Sequence, residues 1–132
     1  MKELDELTQL LSGPGEVMQG SAMSDEEGMA FGHQHFAMFQ YCVVRDWIWI
    51  DLEVTEAVMA ELQKYSRKPS LIYAHTVIYD SARRWDVGDF VRTSPLHSFE
   101  GGFLFKTTNS VYILLGEGRR KRARLETVGR IF

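Results

Sequence analysis

The chain is short of several things that would narrow its function. It carries one cysteine, Cys42, among 132 residues. One cysteine excludes an intramolecular disulfide framework and fits a reducing, cytoplasmic setting. Histidines are few as well: His33, His35, His75 and His97. A structural zinc site usually takes four Cys/His ligands from close pairs. Here the close pair His33 and His35 falls in a stretch read as helix, where an i, i+2 spacing turns the rings about 200° apart. No metal site is expected. No run of about 18 apolar residues exists, so no membrane-spanning helix is expected. The opening MKELDELTQLL is acidic and short on apolar length, unlike a secretory signal. Gly-x-Ser-x-Gly is absent, so Ser94, Ser98, His97 and Asp89 form no recognisable serine-nucleophile pattern. Gly116-Glu117-Gly118 lacks the spacing and the Lys-Ser/Thr of a phosphate-binding loop, and no cofactor is expected.

What is present is ordinary in bulk and uneven in charge. The chain is 45% hydrophobic and 25% charged, as a soluble single domain would be. Net charge is −3, but residues 1–66 hold 12 acids against 3 Lys/Arg, while residues 67–132 hold 6 acids against 12 Lys/Arg. Two explanations compete. The halves pack on each other and their fields partly cancel, or one of them meets a charged partner.

Hydrophobic spacing orders the elements. Leu4, Leu7, Leu10 and Leu11 recur at helical spacing over residues 2–11, behind Glu3, Asp5 and Glu6, whose charges suit a helix start. Ser24-Asp25-Glu26-Glu27 has the form of a capping box for a helix to about His35, with Met29, Phe31 and Phe36 as buried candidates and Gly28 and Gly32 weakening it. Phe39–Val44 and Trp47–Val54 read as strands. In the second, Ile48, Ile50, Leu52 and Val54 face the core, and Trp47, Trp49, Asp51 and Glu53 the other way. Thr55 caps a helix to about Tyr65, with Val58, Met59 and Leu62 buried, and Pro69 follows it. Leu71–Asp80 is apolar on both faces, as a central strand is. FVRTS, FLFKT and VYILLG follow, the last two as a hairpin, and Leu125–Phe132 adds a short final strand. Short connections predict antiparallel neighbours. The expectation is one α+β domain over 1–132: an acidic helical half, 1–66, packed on a predominantly antiparallel, basic β-meander, 67–132, curled and in the extreme an open barrel.

Three sets of residues carry candidate chemistry. Arg119, Arg120, Lys121, Arg122 and Arg124 place five cations in six residues, enough to contact phosphates, with Phe103, Phe105 and Tyr112 available to stack on bases. His75, Arg92, His97, Lys106 and Tyr112 lie on or beside the meander. There a histidine could move a proton and Arg or Lys could steady phosphate charge, as in a metal-independent nuclease. Against this, His75 between Tyr73 and Val77 reads as a core histidine, and Arg92 and Lys106 as snorkelling edge residues. Cys42, inside Tyr41-Cys42-Val43-Val44, reads as a small inert hydrophobe. Trp47, Trp49 and Trp85 are of the residue type that dominates protein contacts.

The segment Trp85-Asp86-Val87-Gly88-Asp89-Phe90-Val91-Arg92-Thr93-Ser94, the segment Thr107 to Gly116 and Arg120-Lys121-Arg122 resemble a family of small uncharacterised bacterial proteins. Trp47 to Leu52 and Tyr73-Ala74-His75 are similar too. The likeness covers most of the chain from about residue 20. It implies a bacterial or bacteriophage origin and no activity, cofactor or catalytic residue. The expected function is a cytoplasmic, non-enzymatic interaction protein that binds a protein partner, and in a mobile-element setting a host defence or regulatory complex. Nucleic-acid binding through 119–124 and nuclease-like catalysis on the sheet are the alternatives.

Overall fold

The computed structural model describes residues 2–131, with side chains from residue 5. The side chains of Glu3 and Leu4, and Phe132, lie outside the described residues. In chain order the elements begin with α1 (Lys2–Ser12), β1 (Glu16–Gln19), α2 (Asp25–His35), β2 (Gln40–Glu53) and α3 (Glu56–Lys64). They continue with β3 (Ser70–Asp80), β4 (Val91–Arg92), β5 (Ser98–Glu100), β6 (Leu104–Lys106), β7 (Ser110–Leu114), β8 (Glu117–Arg124) and α4 (Leu125–Val128). The α+β expectation holds.

The organising strand is β2, which fuses the two strands expected over 39–54. Asp46 adopts a left-handed conformation, φ 52°, which Asp tolerates better than most residues. It resets the alternation of the strand. Cys42 and Val44 before it, and Trp47 and Trp49 after it, enter one cluster. Tyr41 and Val43 enter a second, and Ile48, Ile50 and Leu52 a third. A strand buried on both faces needs partners on both edges. β3 runs antiparallel along one edge. β7 and β8 run end to end, both parallel, along the other. The sheet is therefore mixed, not predominantly antiparallel. At Gly116-Glu117-Gly118 the chain does not reverse direction. Gly116, at φ 71°, only jogs it from one parallel ladder into the next.

The sheet curls into a half-barrel. β6 pairs β7 antiparallel, as the hairpin reading required, and β5 pairs β6. β4 pairs only β3, so its far side is a sheet edge. Leu96 N–H donates to Ser70 O and His97 N–H to Lys106 O. Adjacent residues thus tie the chain to both ends of the curl. Inside lie Trp47, Trp49, Ile72, Ala74, Val77, Phe105 and Leu114. Val77 lies on this inner face opposite Val44, and the register shifts just beyond it, between Val77 and Tyr79.

Helices cover the outside at two places. The Ser24–Glu27 capping box forms as expected. α2 presses Gly28 onto Leu115 and Val43, and Gly32 onto Tyr41 and Ile113. The two glycines that weaken the helix are what lets its backbone approach the sheet. Met29, Phe31 and Phe36 flank this contact, half-buried. At the other end Leu10 of α1 and Val128 of α4 pack on Ile48, Ile50 and Tyr73. Helices are therefore not confined to the first half. The final strand expected at Leu125–Phe132 is replaced, over the described residues, by α4 and the turn after it. Thr55 caps α3 through the Val58 amide, but Val58, Met59 and Leu62 are only half-buried.

Candidate interaction site

The basic run is strand β8, not a loop, and most of it is engaged within the chain. Arg119 pairs with Glu117 at 2.7 Å. Arg120 Nε reaches Asp51 at 2.7 Å. Lys121 Nζ donates to Gln9 O, Leu10 O and Gly13 O at 3.1, 2.7 and 2.6 Å, where a helix end leaves carbonyls unpaired. Arg124 pairs with Glu6 at 2.8 Å and Glu126 at 3.0 Å. Lys121 has these carbonyls and no ion pair, and Arg122 has neither an ion pair nor a side-chain hydrogen bond among the described residues. The acidic first half and the basic second half meet here, which is the packing explanation of the charge asymmetry.

Asp51 is the hub of that contact. It accepts from Trp49 Nε1 at 3.0 Å, Ser70 Oγ at 2.9 Å and Arg120. Burial pushes its carboxyl up, but these donors outweigh burial and hold it below its ordinary value. Trp47 and Trp49 are 1% and 5% exposed and face the inside of the curl. Trp47 donates to Leu115 O at 3.1 Å. Gly118 packs so closely on its ring that a Cβ would overlap it.

The sheet candidates separate into two pairs. His75 and Arg92 lie on β3 and β4, on the face of Tyr73, which is opposite Arg92 in register. His97 and Lys106 lie at β5–β6. His75 is exposed rather than in the core. Its Nε2 donates to Leu11 O at 3.0 Å, since a carbonyl can only accept. His97 Nδ1 likewise donates to Ser66 O at 2.9 Å. Lys106 pairs with Glu100 at 2.9 Å. Tyr112 is buried away from all four, in a polar network at one end of the curl.

That network fixes the segment that follows β3. The Asp80 side chain is fully buried. It accepts from Arg84 N–H at 2.6 Å and from the Arg84 guanidinium at 3.1 and 2.7 Å. Arg84 also donates to Ser110 Oγ at 2.6 Å and lies 4.5 Å from the centre of the Trp85 ring. Burial pushes the Tyr112 hydroxyl up to about 12, against the lowering effect of Arg84. Burial likewise raises the Cys42 thiol far above its usual range, with Asp80 adding to it. Both groups stay neutral and neither is an activated nucleophile.

From this anchor the chain projects residues 81–92. Val77 N–H donates to Asp89 O, and Gly88 N–H to Val77 O. Asp89 closes its own turn by accepting from Asp86 N–H at 3.0 Å. The pinned segment presents apolar groups to solvent: Val87 is 75% and Phe90 41% exposed. Phe90 stacks 5.7 Å from Tyr73. Trp85, Asp89, Phe90, Val91, Arg92 and Ile131 line an open cavity of about 450 Å³. The guanidinium of Arg92 has no ion-pair partner among the described residues. Sequence reasoning named Trp85 and Arg92 for different chemistries, and the structure brings them together. It passed over Val87 and Phe90. The available signal was an apolar Val87 inside the turn Asp86-Val87-Gly88-Asp89, where polar residues are usual.

Residues 19–130 match a protein family described as Domain of unknown function (DUF6957). No curated protein and no solved structure matches the chain.

Proposed function

The chain belongs to this domain-of-unknown-function family, which assigns no activity, and we propose that it is a non-enzymatic protein-binding module whose recognition surface is the segment 81–92. One observation carries the reading. Exposed Val87, Phe90 and Arg92, beside half-buried Trp85, stand on a connection clamped by buried Asp80 and its partner Arg84. Aromatic and arginine side chains on a rigid support are what protein interfaces are anchored by, because little entropy is lost on docking. The exposed Met38 and Phe39 form a second apolar patch. The nuclease-like alternative is less favoured, because its histidines and Lys106 are held by partners in separate places. The nucleic-acid alternative is less favoured, because all of the basic run but Arg122 is engaged within the chain. A cytoplasmic location, a bacterial or bacteriophage origin and a host complex as the partner complete the proposal.

The test is affinity capture from nuclease-treated bacterial lysate, comparing the natural chain with Val87→Asp and Arg92→Glu. A protein retained by the natural chain and lost by both variants supports the reading. Equal retention by all three contradicts it.

A further inference from the structure

Within this reading, on which the inference rests, we propose that the cavity beside Arg92 takes one particular chemistry: a partner segment that presents an apolar side chain next to a carboxylate. The walls are Trp85, Phe90, Val91 and Ile131. About 450 Å³ lies within the range of small-ligand cavities and suits a single large side chain, not an extended interface. At its rim Arg92 offers a planar fork of donors with no ion pair among the described residues. Such a fork matches a carboxylate with two parallel hydrogen bonds. Arg83, exposed on the same segment, also has no side-chain partner among the described residues. Two negative charges stand near. Asp89 lines the cavity, but its Oδ2 accepts the Asp86 amide, so that oxygen is committed to the turn. Asp86 is exposed on the outside of that turn and does not line the cavity. Arg84 adds no free charge, being neutralised by Asp80. The cavity therefore combines an apolar well with the unpaired Arg92 guanidinium and the still-charged Asp89 carboxylate, whose Oδ2 is held by the turn; the group complementary to the guanidinium is a carboxylate one residue away from an apolar side chain.

The probes are three: the peptide acetyl-Gly-Gly-Phe-Asp-Gly-Gly-amide, its Asn counterpart in place of Asp, and AMP. Each is titrated into the isotope-labelled full chain and followed by amide chemical shifts. The expected result is a response confined to residues 85–92 and Ile131, with the Asp peptide binding about tenfold more tightly than the Asn peptide, the scale of one charge-assisted hydrogen bond. Arg92→Gln should erase that difference while leaving the rest of the spectrum in place. Equal binding of the two peptides, shifts centred elsewhere, a stronger response to AMP, or none at millimolar peptide would each overturn the inference. Affinity capture separates the two levels. Loss of the captured protein in Val87→Asp, with no preference for the Asp peptide, leaves the docking surface standing and removes its proposed chemistry. Undiminished capture removes both.

Discussion

Tyr112 and Gly118 show how single residues set the tolerance of the molecule. The Tyr112 hydroxyl is raised to about 12 in the fold by burial, whereas an unfolded tyrosine ionises near 10. Above about pH 10 the unfolded chain gains by losing a proton that the folded chain keeps. Stability is full below that pH and falls as pH rises toward about 12. Tyr112→Phe should lessen this alkaline loss without abolishing it, since burial also raises Cys42, Tyr41 and Tyr73; the readout is denaturation midpoints between about pH 9 and 11, and an unchanged slope would contradict the burial account. Gly118→Ala forces a methyl group into the Trp47 ring. It should destabilise by about 2 kcal/mol, the scale of core overpacking, and shift tryptophan emission. A neutral result would mean that the ring has room to move. Neither role was legible beforehand. Gly118 stood only in a Gly-Glu-Gly run without a recognisable motif, and Trp47 read as a surface contact, because alternation counted from Ile48 leaves the other face free. Only the left-handed Asp46 and the glycines against the indole show that both faces are filled.

Elements with a local chemical signature were legible, and those specified by distant pairing were not. Both caps were readable because an Ncap serine or threonine acts on an amide three residues away. Ser24→Ala should cost about 1 kcal/mol of stability, measured by chemical denaturation. The β6–β7 hairpin was readable for the same reason of short range. The parallel placement of β7 and β8 beside β2 was not, since nothing within either strand records which neighbour it joins. β8 itself was hidden by its charges. Alternation of Arg120, Arg122 and Arg124 with Arg119, Lys121 and Ala123 looks like a solvated run until Asp51, Glu6 and the end of α1 are placed against it. The Asp51 carboxylate, lowered in the fold, contributes stability above its unfolded value near 4, which is lost as pH falls through the folded one. Asp51→Asn should therefore show a shallower loss of stability as pH falls below about 4 than the natural chain; an equally steep acid limb would place the lost stability elsewhere. The segment after β3 depends on buried Asp80 and its partner Arg84. Asp80→Asn removes the charge partner of Arg84, whose guanidinium still reaches Ser110 Oγ and solvent, and should cost about 2 kcal/mol. It should also raise amide exchange in residues 81–90 before the rest of the sheet, and uniform exchange would show that the pair does not anchor that segment.

At the scale of the whole molecule, the charge asymmetry and the candidate surface separate. The acidic and basic halves meet along α1, β2 and β8 through Arg120–Asp51 and Arg124–Glu6, so part of the field that suggested an external partner is met inside the chain. The surface left over is the pinned segment 81–92, where apolar groups and an unpaired arginine face solvent together. Its residues were half legible. Trp85 and Arg92 stood out by type, while their convergence with Phe90 and Ile131 needed the curl that brings β4 to the sheet edge and the chain end beside it. The most direct measurement is affinity capture from nuclease-treated lysate with the natural chain and Arg92→Glu, each first shown to be folded by its amide spectrum. The account predicts a protein partner that survives nuclease and is lost from Arg92→Glu. Retention of the same partner by that variant, or capture that disappears with nuclease in the natural chain, would contradict it.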